Sequence, residues 1–474
     1  MKKYFKTALT VIISVTVLTM ASSTIASASL LAYQTASSPY DRIYGTTKFE
    51  TANAIADKVG TGVINDVIIT SGNNFPDALS VSVLSKKLNA PILLVNSTVG
   101  KSSDAFKFIT EKTPKNAMIH IIGGTGAISS DFEKKLTSLG YDNRERIGGY
   151  DQYNTDALIA NKLSVAKGTP VVVASGVSFP DALSISSIAA AKGYPILLTQ
   201  KDSLSQDVND FIVKDQPSEI YIIGGTAVIS DSVKSTIEKL TSGSAQRLAG
   251  VDLFETNSKV LAEFAMSPKT VYVASGLDFS DALAGSSLAA SNGDPIALIN
   301  SRSYELPTKV ESYFKSLNSA GTKPSITALG GTAVVSDYTM NYIRAVIDGT
   351  SLPVAPQAEL VNRALSLLGV RYHWAGTTPS GFDCSGYVQY VFKGSGISLP
   401  RTAAEQFKVG SSVSPEELQP GDLVFFTTYT AGASHVGIYI GSRRFVAASN
   451  SGVSISNLDD SYYKSRYLGA RRLH

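Results

Sequence analysis

The chain has 474 residues, 43% hydrophobic and 17% charged, which is enough apolar material for roughly three to five domains and excludes a disordered protein. Lys and Arg number 42 against 39 Asp and Glu, and a formal charge of +3 lacks the basic excess of a dedicated nucleic-acid binder. The one cysteine, Cys384, excludes an internal disulfide, and the paired Cys and His ligands of a structural zinc site are missing.

Residues 1–28 read as a secretory signal peptide. Lys2, Lys3 and Lys6 form a positive start, Ala8 to Ala21 is apolar, and Ala26-Ser27-Ala28 is a small-x-small cleavage site. The apolar run is shorter than the roughly 20 residues of a spanning helix, so no membrane span is expected after cleavage. Loss of the three lysines takes the formal charge from +3 to 0, so net charge is not what finds the partner. A lone thiol on an exported protein invites oxidation, and chemistry is the leading reason to keep one.

Three copies of one unit follow, expected over 40–145, 146–246 and 247–348. Arg42-Ile-Tyr-Gly45 recurs as Arg146-Ile-Gly-Gly149 and Arg247-Leu-Ala-Gly250, each followed by an aromatic and a Thr (Phe49 and Thr51, Tyr153 and Thr155, Phe254 and Thr256). Ser71-Gly-Asn-Asn-Phe-Pro-Asp77 is matched by Ser175 to Asp181 and Ser275 to Asp281, and Gly-Gly-Thr closes each copy at 123–125, 224–226 and 330–332. Short continuous apolar runs, such as Val67 to Thr70 and Ile119 to Ile122, alternate with helical patterns such as Asp77 to Leu88. That implies α/β units with parallel sheets covered on both faces. At about 100 residues, each copy is long enough to be a domain alone. Gly-Gly-Thr without a Lys or a full Gly-x-Gly-x-x-Gly reads as a structural turn, and the Asp of Phe-Pro-Asp as a helix N-cap.

These units resemble the cell-wall-binding type 2 repeats of Gram-positive surface proteins over about residues 40–347. The resemblance implies a pseudo-threefold assembly that holds the protein non-covalently to anionic cell-wall polymers. The third copy departs from the pattern at Ser280 and Ala297.

Gly349 to Pro356 is a linker, and residues 357–474 differ in character. Gln357 to Leu368 has helical periodicity ending at Gly369. In Phe382-Asp-Cys-Ser-Gly386, Asp383 is a good N-cap, which places Cys384 in the first turn of a helix. There free N–H groups and the helix dipole favour a thiolate and predict a lowered thiol pKa. Such a nucleophile needs a base. His120 lies in an apolar strand, His474 is terminal, and His373 is able to line a cleft. His435 opens the alternating strand His435 to Gly441 after a flexible stretch, which suits a general base facing the cysteine helix. Further strands are expected at 422–426, 444–448, 453–456 and 468–473, giving an α+β, papain-like arrangement.

This part is similar to the NlpC/P60 family of cysteine peptidases through Phe382 to Gly386, Leu399-Pro-Arg401, Pro420 to Phe426 and His435 to Gly441. The resemblance implies Cys384 as nucleophile and His435 as base. It also implies Tyr372, Asp383 and Ser385 around the small residue before the cleaved bond, and no metal or organic cofactor. Relatives cut between γ-linked D-glutamate and diaminopimelate or lysine in peptidoglycan stem peptides. The family's third, orienting residue falls on Ala447, which accepts no hydrogen bond; a backbone carbonyl, a water or Ser449 is left to take over. The implied protein is a secreted, wall-bound endopeptidase. The alternatives are a surface protein with a silent peptidase domain and a thioester-forming acyltransferase.

Overall fold

The structure is a computed structural model and describes residues 39–473 apart from 60, 61, 75, 265, 302, 304, 354, 355 and 442. The expected signal peptide and His474 lie outside the described residues. The chain divides into two compact units between Thr350 and Ser351.

Three four-stranded sheets make up the first unit, all paired in parallel. Their strands are β1 (Asp41–Ile43), β2 (Asp66–Ser71), β3 (Ile92–Val95), β4 (Met118–Ile122), β5 (Arg144–Ile147), β6 (Val171–Ser175), β7 (Ile196–Thr199), β8 (Glu219–Ile223), β9 (Ser244–Leu248), β10 (Thr270–Ser275), β11 (Ile296–Ile299) and β12 (Ser325–Leu329). The sheet orders are β3-β2-β4-β5, β7-β6-β8-β9 and β11-β10-β12-β1. Alternation explains why the strands are apolar throughout. Ile68 faces the central core while Val67 and Ile69 face an outer cluster with Phe106 and Phe132.

One helix from each copy meets the other two at the centre: α1 (Val81–Leu88), α2 (Phe179–Lys192) and α3 (Ser280–Asn292). Their buried faces carry small residues, among them Ser82, Ala182, Ser186, Ala189, Ala282, Ser286 and Ala289, which let the helices approach closely. One hydrophobic cluster runs through all three copies. The central core is therefore shared among the three copies, although each is long enough to be a domain alone. The copies also interlock by strand. The Arg-bearing strand that opens a copy in sequence closes the sheet of the copy before it. β5 ends the first sheet, β9 the second, and β1, from the start of the unit, pairs with β12 to end the third.

The repeated signatures are the fittings of this closure. Arg42, Arg146 and Arg247 each donate at 2.8 Å to the carbonyl of the first Gly of a Gly-Gly-Thr, at Gly330, Gly123 and Gly224. Those glycines have φ of +107°, +116° and +118°, which demands glycine. The Thr of each copy accepts from a backbone N–H, as from Gly45, Gly149 and Gly250. Asp181 and Asp281 are not N-caps, because Ser178 and Phe279 cap their helices and put the acids in the first turn. There a Cβ on Gly224 or Gly330 would fall 2.6 or 2.5 Å from the carboxylate. Burial pushes both carboxyls up to about 6.

In the second unit an antiparallel sheet runs in the order β15-β20-β16-β17-β18-β19. Its strands are β15 (Ser411–Val413), β16 (Leu423–Phe426), β17 (His435–Gly441), β18 (Arg444–Ser449), β19 (Gly452–Asn457) and β20 (Tyr467–Arg472). A two-stranded ribbon, β13 (Thr377–Thr378) with β14 (Gly381–Phe382), leads into helix α4 (Cys384–Lys393). One sheet face buries Phe425, Val436, Ile438 and Val446 against Tyr387, Val388 and Val391 of α4. The other buries Phe426, Phe445 and Ala447 beside Tyr463 and Tyr467.

Candidate active site

Cys384 is the first residue of α4. Asp383 caps the helix by accepting from the Gly386 N–H at 2.7 Å. The thiol is 6% exposed and packs in the helix-side core. β17 pairs with β18 only from Ile438 onward, and the Val436 N–H, next to His435, acts on the Cys384 thiol by favouring its anion. The sulfur thus lies at the His435 end of β17.

The expectation of a lowered thiol pKa is overturned. Burial pushes the Cys384 thiol above its ordinary value of 9.0 and Asp383 adds to the rise, outweighing the N–H groups of Val436, Ser385 and Cys384 itself. The helix start does favour the thiolate, but by less than burial costs it. Burial likewise pushes His435 down to about 4. Both groups are neutral at rest.

His435 is 8% exposed. Phe426 pairs with His435 on one side and with Tyr467 on the other, so the three side chains share the face away from α4, which corrects the expectation that His435 faces the cysteine helix. The imidazole meets Phe426 at 6.0 Å and stacks on Tyr463 at 6.3 Å. Its Nε2 is buried without a hydrogen-bond partner. Ala447 is buried beside this aromatic cluster and offers only a methyl. Ser449 does not take over, since its hydroxyl pairs with Ser451 and approaches the Gly452 carbonyl.

The structure brings Tyr372, Asp383 and Ser385 together around the thiol. After burial, the charges of Cys384 and Asp383 are what raise the Tyr372 hydroxyl, and the same two act on Tyr429. Three further residues belong here. Arg401 pairs with Asp383 and Ser385, while Trp374 and Tyr429 meet edge-on at 6.1 Å and remain 68% and 65% exposed. Leu-Pro-Arg is visible in the sequence, but its pairing with a carboxylate 18 residues away is not. His373 is exposed, and His120 sits in β4 between Asp66 at 2.9 Å and Glu145 at 2.7 Å.

The Cell wall binding domain 2 (CWB2) model matches residues 42–133, 146–234 and 247–340. The chain belongs to this family. Residues 369–472 match the NlpC/P60 family. The chain is 31% identical to the "Amidase enhancer" of Bacillus subtilis (strain 168), over 70% of this chain and 47% of that protein. It is 49% identical to the "Probable peptidoglycan endopeptidase LytE" of the same organism, over 26% of this chain and 35% of that one. The solved structure of Cwp6 from Clostridium difficile is similar with a TM-score of 0.59 and 26% identity, covering 67% of this chain and 49% of that one. The chain thus spans less than half the length of these relatives. Among the described residues of the CWB2 protein no helix is long and apolar enough to cross a membrane.

Proposed function

We propose that this is a secreted, wall-bound peptidoglycan endopeptidase. The three repeats hold it to anionic wall polymers. The second unit cleaves the bond between γ-linked D-glutamate and diaminopimelate or lysine in stem peptides. One observation carries the reading: a lone thiol at a helix start, with the amide next to His435 among the groups that favour its anion.

The neutral pair defines the order of events. Sγ attacks the carbonyl carbon as its proton passes to His435 on the other sheet face, around the end of β17 that β18 does not pair with, and N–H groups at the start of α4 stabilise the oxyanion. His435 returns the proton to the leaving amine as the C–N bond breaks. Water then hydrolyses the thioester. The unpartnered Nε2 supports a slow enzyme, because among the described residues no hydrogen bond to Nε2 orients the ring. It also favours, as a second reading, a silent module that only binds the wall.

Digestion of purified peptidoglycan followed by mass spectrometry tests both. The native chain releases fragments with a new diaminopimelate or lysine amine, and Cys384→Ser does not. Identical fragments from the two proteins rule out the thiol chemistry.

A further inference from the structure

The imidazole of His435 has no hydrogen bond at Nε2, yet it is packed between rings. Phe426 meets it at 6.0 Å and 42°, and Tyr463 lies closer to parallel, at 6.3 Å and 24°. The two contacts differ in kind. Phe426 is the strand neighbour that sheet pairing sets beside His435. Tyr463 comes from outside the sheet, on the short helix α5 (Ser461–Lys464), and its near-parallel ring gives the imidazole a preferred plane.

Tyr463 is itself fixed. Its ring stands edge-on to Phe445 at 4.8 Å and 88° and to Tyr462 at 5.1 Å and 89°, and it packs on Phe426 at 5.0 Å and 60°. The chain just before it is tied to the sheet. Arg443, in the turn between β17 and β18, pairs with Asp459 at 2.8 Å, and the Leu458 N–H donates to the Arg443 carbonyl at 2.8 Å. The Lys464 N–H closes the helical turn on the Asp460 carbonyl at 2.8 Å. An imidazole left to itself turns within a broad torsional well about its Cβ–Cγ bond. A locked ring laid along it narrows that well, which is the service a hydrogen bond from residue 447 would give. Ala447 brings only a methyl to the same cluster.

We propose that Tyr463 is the positioning residue of His435, setting by stacking the ring plane that position 447 leaves unset. This rests on the peptidase reading above. Tyr463 acts through the imidazole, not on the substrate. By covering one side of the ring it also adds to the burial that keeps the imidazole neutral down to about pH 4. The titratable side chains that face the ring from this side are the phenols of Tyr463 and Tyr467.

Kinetics of the full chain on a synthetic stem peptide test it. Tyr463→Ala lowers kcat about tenfold or more with KM within about twofold, and Tyr463→Phe, which keeps the ring, stays within about threefold of native. Adding Ala447→Asn to Tyr463→Ala supplies a hydrogen-bonding group beside the imidazole and recovers at least about fivefold in kcat, a gain that a damaged fold does not give. Should Tyr463→Ala not melt cooperatively, Tyr463→Leu takes its place. A kcat unmoved by loss of the ring, a loss in Tyr463→Phe as deep as in Tyr463→Ala, or no recovery in the double variant overturns the proposal. The imidazole also gives a readout that needs no turnover. In Cys384→Ser, His435 followed by NMR titrates near 4, at least about one pH unit higher when Tyr463→Ala is added, and unchanged when Tyr463→Phe is added. A tyrosine that served only the stability of the fold would lower the melting temperature and leave that titration where it is. If the native chain cuts no peptide, the peptidase reading fails and the titration still decides: the shift upholds Tyr463 as the group that holds the ring, and its absence overturns it.

Discussion

A buried thiol and a buried imidazole each have two resting forms, and their surroundings choose between them. An ion pair at Cys384 and His435 would need both groups to ionise where water is excluded. The N–H groups of Val436, Ser385 and Cys384 favour the anion, while burial and Asp383 oppose it and prevail. No acceptor steadies an imidazolium at Nε2. The proton therefore stays on sulfur until substrate arrives. Two outcomes are expected. Iodoacetamide modification, which reads one site because the chain has one cysteine, rises about tenfold per pH unit through pH 8 as the thiolate fraction grows. On the acid side, kcat/KM holds until His435 protonates and falls with an apparent pKa of about 4. An alkylation rate already flat at pH 7 would mean a preformed thiolate and would refute the neutral pair.

Single polar groups also decide how elements are joined. Asn257, on the helix Leu253–Glu263, accepts from the Leu298 N–H at 2.9 Å and donates to the carbonyls of Ser184 and Ile296. The matching position in the second copy is Asp156, on the helix Gln152–Leu163. It accepts from the Leu198 N–H at 2.6 Å, but its Oδ1 is buried without a partner and burial pushes its carboxyl up to about 7. The fold keeps this proton up to about pH 7, whereas the unfolded chain releases it near 3.8. The contribution is thus full below 3.8 and lost as pH rises through 7. Asp156→Asn supplies the missing donor without a charge. It is expected to stabilise the chain by about 1–3 kcal/mol at pH 8 and by less at pH 5, read as the difference in melting between variant and native at each pH. An equal gain at both would show that protonation is not involved. Position 156 illustrates what the sequence leaves out. Apolar runs such as Val171 to Ala174 announce buried strands because both faces need covering, and Asp383 before Cys384 announces a helix start through local chemistry. Whether a carboxyl is paired, which face of β17 carries the imidazole, and how much burial opposes a helix dipole depend on chain brought from far away. The reading of Asp181 as a cap failed for a local reason: Phe179 and Pro180 start the helix earlier.

At the scale of the first unit, the chain closes on itself. Ile43 to Asp41 lies against Leu329 to Thr327, and the clasp adds Arg42 bonded to Gly330 O and Asp337, both at 2.8 Å, with Tyr40 bonded to Asp337. Without it, β12 becomes a sheet edge with unpaired N–H and C=O groups. Arg42→Ala removes two charge-assisted hydrogen bonds, at a cost of about 1–3 kcal/mol, and lowers the melting temperature by about 2–8 °C. Its first trace belongs in β12, where hydrogen exchange at 325–329 quickens before exchange in β2 or β6 does. The same topology sets the smallest piece that folds. A fragment of residues 146–246 carries β5 residues that belong to the preceding sheet, ends inside its own closing strand, and exposes the faces of α2 that pack on α1 and α3. It is expected to show little ordered structure by circular dichroism and no cooperative melt, whereas residues 39–350 together melt in one transition. Cooperative unfolding of the isolated copy near the melting temperature of the whole would sink the shared-core account.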